Sequence, residues 1–354
     1  MKVDGIHIAG LGAYIPESFS AARAVELGMY DREEHMRAGW SGAAVAGRTP
    51  APDMAVRAGN QALARSGHDA SEVGLLLHAT FYHQGPDGWS PHHYVQRHTI
   101  GGHVPAFEIR QTCNGMLGAM ELAACYLTAG GGDRTAALIT GADNFGAPLV
   151  DRWRYAEGAV TNRGTIFGDA GTAVVLSRRG GFARLRAVAS ASLPDMEEMY
   201  RGDMPLFPPG CTVGRPMAIG ARIAEFAARR PAEFDRARER LTLARVEVAR
   251  RALAEAGIGP RDVARATHVF SGGEAYVRSV LEPLGIDPAR GVLEFGRGVG
   301  HLGVNDQIAG LTHLVETGAV GPGDHVLLLG NGVGIALSCV VVEIVEPAGW
   351  APAG

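Results

Sequence analysis

An α/β fold built from two similar halves is predicted for this chain of 354 residues, and three observations carry it. Short apolar or β-branched runs alternate with longer amphipathic stretches along the whole length, the pattern of strands laid against helices. The order of pieces in the second half repeats that of the first. "VEVARRALAEAGIGPRDVARATHVFSG" parallels "DMAVRAGNQALARSGHDASEVGLLLHATF", each a helix, a glycine stop, an acidic linker and a strand. "LTHLVETGAVGPGDHVLLLGNG" likewise parallels "ELAACYLTAGGGDRTAALITGAD", and each copy closes on a further apolar strand, "TAVVLS" and "IALSCVVVEI". The halves are expected at 1–178 and 179–354, packed as one pseudo-symmetric unit.

The elements follow in order. "GIHIAGLGAYIP" reads as a strand leaving through a Gly-rich turn. In "DMAVRAGNQALARSG" the residues Ala55, Ala58, Ala62 and Leu63 recur at helical spacing, and Gly67 is placed to end the helix as a C-cap. "VGLLLHATF" is a buried strand and "PAFEIRQTC" another; "RTAALITGAD" and "GTAVVLSRR" are strands in turn. Residues 190–240 have no counterpart in the first half. Their "DMEEMYRGDMPLFPPGCTVGRPMAIG" is rich in Pro, Met and Gly and reads as an inserted loop or lid. "ARRPAEFDRARERLTLARVEVARRALAEAG" reads as one long amphipathic helix whose arginines form a solvated face.

Composition narrows the function classes. Hydrophobic residues make up 46% and charged residues 20%, ordinary for a globular enzyme, and the 50 glycines are scattered without a collagen-like period. A net charge of −4 gives no reason to expect nucleic-acid or membrane attraction. Four cysteines do not make a disulfide framework. The start "MKVDGIHIAGLGAYIP" lacks the basic-then-apolar layout of a signal peptide, and no apolar run approaches the ~18 residues of a spanning helix. A cytoplasmic protein is expected.

The chemistry centres on "QTCNGMLG", residues 111–118, where a strand should end and a helix begin. The first amides of that helix lack intrahelical acceptors and the macrodipole is positive there, so both favour a thiolate at Cys113. Gly115 lets a substrate carbonyl come close to the backbone. Cysteine is also among the most buried residue types, so Cys113 as a core residue stays open at this point; Cys125 and Cys339 read as core. A base must come from elsewhere. In "GRGVGHLGVNDQIAG", residues 296–310, His301 lies between glycines on an expected loop, and Asp306 sits at or near a helix start. A carboxylate there is able to hold the imidazole tautomer as in a Cys-His-Asp relay, or it serves only as an N-cap, a role Asn305 also fits. "GNGVG", residues 330–334, is expected as a turn offering backbone N–H groups to an oxyanion. "FGDAGTA", residues 167–173, reads as a tight structural turn.

Taken in order, "IAGLGAYIP", "DMAVRAGNQAL", "TCNGM", "FGDAGTAVVL", "GHLGVNDQIAGL" and "GNGVGIAL" resemble the thiolase fold, and within it the ketoacyl synthase III branch, over nearly the whole chain. The resemblance implies a five-layered αβαβα architecture, a homodimer, and acylation of Cys113 from a thioester on CoA or acyl carrier protein. It implies an oxyanion hole from the backbone N–H groups of Cys113 and Gly332. The departures shape the expected activity. Condensing members carry an H-Q-A-N and a G-N-T-S segment, whose His and Asn support decarboxylation of a malonyl unit. Here the first reads "FSGGE", residues 270–274, with Ser271 in place of the His, and His268 falls within the preceding strand. The second reads "GHLG", with His301 in place of the Asn.

Cys113, His301 and Asp306 then resemble the non-condensing acyltransferases of natural-product assembly, which move an acyl group onto an alcohol, an amine or a second carrier thiol. An enolate is needed for carbon–carbon bond formation, whereas O- or N-acylation needs only a base. The alternatives are a decarboxylative 3-oxoacyl synthase III and a non-catalytic subunit that docks or gates a carrier protein. No cofactor is expected beyond the phosphopantetheine thioester of the donor. The Trp-Ile-x-x-Arg-x-Gly run associated with CoA is not intact in "HMRAGWSGAAVAGR", so a carrier protein is at least as well supported a donor. The histidines of "FYHQGPDGWSPHHYVQRH" lack any standard ligand spacing, and no metal is expected. By the resemblance that segment lies near the dimer interface and the acyl pocket. "DRWRYAEG" and "MYRGDMPLFPP" supply aromatic and Met side chains for a pocket, and Trp153, Ser271 and Asn331 are expected to touch substrate.

Overall fold

A computed structural model of the chain describes residues 1–130, 134–156, 159–160, 164–208 and 217–351. Parts of the "GGGD", "DRWRYAEG" and "MYRGDMPLFPPGCTVGRP" stretches therefore lie outside the described residues. In the first half the elements are β1 (His7–Tyr14), β2 (Ser18–Ser20), α1 (Ala21–Glu26), α2 (Arg32–Ala38), β3 (Gly42–Ala44), α3 (Ala51–Ser66), β4 (Val73–Ala79), α4 (Pro91–His98), β5 (Ala106–Ile109), α5 (Gly115–Thr128), β6 (Ala136–Asp143) and β7 (Ala170–Ser177). The second half holds β8 (Ala183–Ser192), α6 (Glu197–Arg201), α7 (Ile219–Arg229), α8 (Pro231–Ala256), β9 (Val263–Thr267), α9 (Glu274–Leu281), α10 (Leu293–Val299), α11 (Asp306–Glu316), β10 (His325–Gly332) and β11 (Ala336–Ile344).

Nine strands run in the order β5-β4-β6-β7-β1-β8-β11-β10-β9, so the first five come from the first half and the last four from the second. The halves join where β1 meets β8 through only two residue pairs, His7 with Arg184 and Ile8 with Ala183. Apart from the edge strand β5, the strand sets are largely buried on both faces, and the period-2 alternation shows which layer lies on each side. Along β11, Val340 and Val342 join one core while Leu337, Cys339 and Val341 join another. Along β7, Val174 and Leu176 face the first of these cores, and Ala173 and Val175 face a third. The shared core contains α5 and α11, which touch strands of both sets. Helix α3 covers the outside of the first set and α8 the outside of the second. The result is the five-layered αβαβα arrangement of the thiolase fold.

Helix α3 lies almost flush on its sheet, and the glycines of "GLG" allow it. A Cβ on Gly10 would stand 2.1 Å from the Ala62 carbonyl oxygen, and one on Gly12 would stand 2.0 Å from that of Ala58. Gly67 ends α3 in the left-handed conformation, φ 65°, as the sequence implied.

Four local expectations differ from the structure. The charged segment after residue 227 is one long helix as expected, but that helix begins only at Pro231, because Arg230, at φ −133° and ψ 60°, precedes the proline and is driven out of helical geometry, and Ala228 and Arg229 end the helix before it. In "GNGVG" the strand β10 continues through Asn331 and Gly332, which pair with Leu337 and Ala336, so the turn is confined to 333–335. Cys125 is exposed, since its face of α5 points out beside the also exposed Leu122. His268 lies one residue past the end of β9, although it is fully buried.

Candidate active site

Cys113 occupies a single 3-10 turn, Thr112–Asn114, directly before the first residue of α5. Thr112 adopts φ 47°, and no other described non-glycine residue has a positive φ. Such a conformation costs about 1–2 kcal/mol in an ordinary residue, so the surroundings must hold it. They do so by hydrogen bonds: Val333 N–H donates to Thr112 Oγ1 at 2.6 Å, and Asn114 Nδ2 donates to Ser338 Oγ at 2.9 Å. The sharp turn sets the Cys113 side chain at the positive end of α5 with 5% of its surface exposed.

His301 reaches the thiol from the other half. Its backbone N–H donates to Ile166 O at 3.0 Å and its carbonyl accepts from Gly168 N–H at 3.0 Å, so the loop is clamped beside β7. The ring packs between Phe167, at 5.1 Å between centroids, and Phe81, at 6.4 Å. Its Nε2 lies 3.0 Å from Cys113 Sγ and its Nδ1 lies 2.6 Å from Asp306 Oδ2. Asp306 is fully buried and is the first residue of α11. It caps no amide of its own helix. Its Oδ1 accepts from Leu302 N–H at 2.7 Å, and Oδ2 accepts from Phe270 N–H at 2.8 Å as well as facing the imidazole. Asn305 is instead bound to Leu302 O and Ala170 O through its amide.

The electrostatics follow from this enclosure. Burial by itself would lower the His301 pKa, but the Asp306 carboxylate and Cys113 outweigh it and hold the imidazole pKa well above its ordinary value. Behind the histidine loop, Asp143 accepts from Phe81 N–H at 2.8 Å and from Val304 N–H at 3.1 Å. Burial pushes its carboxyl up to about 8, against the pull of those amides and of His301.

Cys113, His301, Asn331 and Gly332 open onto a cavity of 530 Å³. Met196, Met199, Tyr200, Ile219, Ile223 and Phe234 from the insertion line it, together with Phe81, Tyr155 and Phe167 from the first half. Gly332 sits against the cysteine turn so closely that a Cβ there would be 2.3 Å from Gln111 O. The Val333 N–H is held by Thr112 Oγ1, next to Gly332 on the cavity lining. Ser271 lines the cavity, its Oγ donating to Gly273 O at 3.0 Å. Trp153 does not line it. The indole is buried against Phe19 and Tyr30, each 5.9 Å away, because the turn at 151–154 directs it into the core and leaves Tyr155 facing the cavity. Tyr276 and Arg245 also line the cavity, and neither lies in a recognisable motif. Arg238, Leu241, Thr242 and Arg245 recur every three or four residues on α8, so one stripe of the expected solvated face turns inward. Among the described residues no cluster of three or more His, Cys, Asp or Glu side chains is placed to hold a metal ion.

Family models match both ends of this site. Residues 107–192 match the model "3-Oxoacyl-[acyl-carrier-protein (ACP)] synthase III", and residues 253–344 match its "C terminal" counterpart. The solved structure of ChlB3, titled an acyltransferase, is 45% identical, with a TM-score of 0.90 over 98% of this chain and 99% of its own. The chain belongs to the 3-oxoacyl-acyl-carrier-protein synthase III family. Beta-ketoacyl-[acyl-carrier-protein] synthase III 5 of Streptomyces coelicolor is 28% identical over 93% of this chain and 94% of its own length. The synthase III of Aquifex aeolicus, at 20% identity and a TM-score of 0.76 over 96% of this chain and 99% of its own, shares the fold. Within this family the chain is a thiolase-like enzyme, and no described helix is long and apolar enough to cross a membrane. His301 is the one histidine among the described residues lining the cavity; His268 is buried with Nδ1 turned to Val269 O.

Proposed function

We propose that the protein is a non-condensing acyltransferase that carries an acyl group on Cys113 and passes it to an alcohol, an amine or a carrier thiol. One observation carries the reading: a single imidazole, His301, bridges Cys113 and Asp306, with Ser271 where condensing members have a histidine. Its likeness to ChlB3, an acyltransferase by its title, supports the same reading.

In the first half-reaction the Cys113 thiolate attacks the thioester carbonyl of an acyl carrier protein or CoA donor. The carbonyl oxygen takes the negative charge between the N–H groups of Cys113 and Gly332. The C–S bond to the phosphopantetheine breaks, and the departing thiolate takes the Nε2 proton of the His301 imidazolium. In the second, neutral His301 removes the proton of the incoming O–H, N–H or S–H group as that group attacks acyl-Cys113. The C–S bond to Cys113 breaks and the thiolate–imidazolium pair is restored. Asp306 holds Nδ1–H throughout, which keeps Nε2 aimed at the reacting proton. No metal or redox cofactor enters these steps. A homodimer in the cytoplasm is part of the reading; the edge strand β5, with Phe107 53% exposed, and the exposed Leu122 of α5 support the dimer.

Intact-mass measurement after incubation with acyl carrier thioesters tests the first step. The wild type gains one acyl mass and Cys113→Ala gains none; acyl mass on the alanine variant removes Cys113 as nucleophile. His301→Ala is expected to acylate slowly and to lose about 10²–10⁴-fold in transfer. Full turnover by that variant removes His301 from the mechanism.

A further inference from the structure

The cavity contains a polar cluster that the acyl relay does not use. Arg245 enters from α8, Tyr276 from α9 and Tyr200 from α6, beside Met199 and Phe234. The buried Nε of Arg245 has no hydrogen-bond partner among the described residues. Arg245 is half-buried, and this one N–H has lost water without gaining an acceptor, so a negative group in the cavity would complete it. The buried Arg152 of the same chain shows the satisfied alternative, with Asp169 at 2.9 Å and the carbonyls of Ala44 and Phe167 around it.

The tyrosines are disposed as donors. Asn331 lines the same cavity, and each tyrosine hydroxyl carries a proton to donate. Burial keeps both Tyr200 and Tyr276 protonated at neutral pH, with Tyr200 pushed up to about 12. The charges of Arg245 and Cys113 both act on each of these hydroxyls. The cluster and Cys113 line the same cavity, so an acyl chain on the sulfur extends into the space they share.

We propose that Arg245, with the hydroxyls of Tyr200 and Tyr276, forms a subsite for a carboxylate at the distal end of a short acyl group carried on Cys113. The donor is then a thioester of a short dicarboxylic acid. The inference rests on the acyl-Cys113 reading above. Neutral chains of equal length leave the guanidinium and both hydroxyls unpaired, and that difference is the source of selectivity.

The test loads the full-length enzyme with succinyl-pantetheine or butyryl-pantetheine, thioesters of equal chain length, and follows the acyl mass on Cys113 with time. The wild type is expected to load succinyl about tenfold faster or more, the scale of a hydrogen bond to a charged group. Arg245→Leu is expected to bring the succinyl-to-butyryl ratio close to one, Arg245→Lys to keep part of the preference, and Tyr276→Phe to reduce it. A wild-type ratio near one with both acyl masses present on Cys113 overturns the subsite and leaves the acyl-Cys113 reading standing. A preference that survives in Arg245→Leu also overturns the subsite. Absence of acyl mass from Cys113 with both thioesters overturns both.

Discussion

Replacing Asp306 by asparagine keeps the shape of the side chain and removes its charge, at the residue that holds His301 Nδ1. The carboxylate faces three donors: His301 Nδ1 at 2.6 Å, Phe270 N–H at 2.8 Å and Leu302 N–H at 2.7 Å. Asparagine offers one acceptor oxygen and one NH2 group, so each of its two orientations sets donor against donor. With the oxygen toward Phe270 and His301, the NH2 opposes Leu302 N–H. With the NH2 toward them, it opposes Phe270 N–H and donates to Nδ1, which moves the ring proton to Nε2 and blocks proton removal from the acceptor. A buried backbone N–H left without a partner costs about 1–3 kcal/mol of stability. The tautomer change costs far more in rate, about 10³–10⁴-fold in transfer from a preloaded acyl enzyme.

The pH profile separates this positioning role from general loss of packing. Asp306 raises the His301 pKa, and the base works in its neutral form, so transfer increases as pH rises through that pKa. In Asp306→Asn the rise moves to lower pH. The assay is single-turnover decay of acyl-Cys113 in the presence of acceptor, across pH, with circular dichroism to show that the chain is folded. A folded Asp306→Asn enzyme that transfers at the wild-type rate with an unmoved profile refutes the relay.

Two further outcomes follow from the same geometry. Gly332→Ala places a Cβ 2.3 Å from Gln111 O and 3.0 Å from Asn114 Cβ, so the turn holding Cys113 must shift; acylation is expected to fall about 10²–10³-fold, and wild-type acylation by the folded variant removes Gly332 from the oxyanion site. Asp143 titrates near 8 when folded and at about the ordinary 3.8 when unfolded, so the stability from its bound proton is fully present below 3.8 and is lost as pH rises through about 8. The fall in melting temperature between pH 5 and 9 should therefore flatten in Asp143→Asn, and equal slopes for the two proteins show that Asp143 is not the group responsible.

Much of this was legible in the sequence, for identifiable reasons. Strands such as "TAVVLS" and "CVVVEI" are buried on both faces, so their apolar runs stand out without any tertiary information. The meeting of Cys113, His301 and Asp306 could be expected because Cys113 lies at a strand-to-helix junction and because His301 and Asp306 stand five residues apart around a glycine loop. What the sequence hid depends on direction in space. Trp153 and Tyr155 are two residues apart in one short turn, and only the packing of Phe19 and Tyr30 around the indole decides which ring faces the cavity. Arginines occur all around α8, so helical periodicity alone did not single out the stripe of Arg238 and Arg245. The break at Pro231 carried its own local signal, but the apolar spacing runs through it.

The central claim is that acyl-Cys113 gives up its acyl group to a heteroatom and not to a carbanion. The most direct measurement supplies acyl-loaded enzyme with a malonyl carrier thioester in parallel with alcohol, amine and thiol acceptors, and follows both CO2 release and the acyl mass on Cys113. A non-condensing transferase releases no CO2 and leaves acyl-Cys113 intact with the malonyl thioester, while a heteroatom acceptor discharges it. CO2 released in step with the loss of acyl-Cys113, and a carbon–carbon product, would contradict the account.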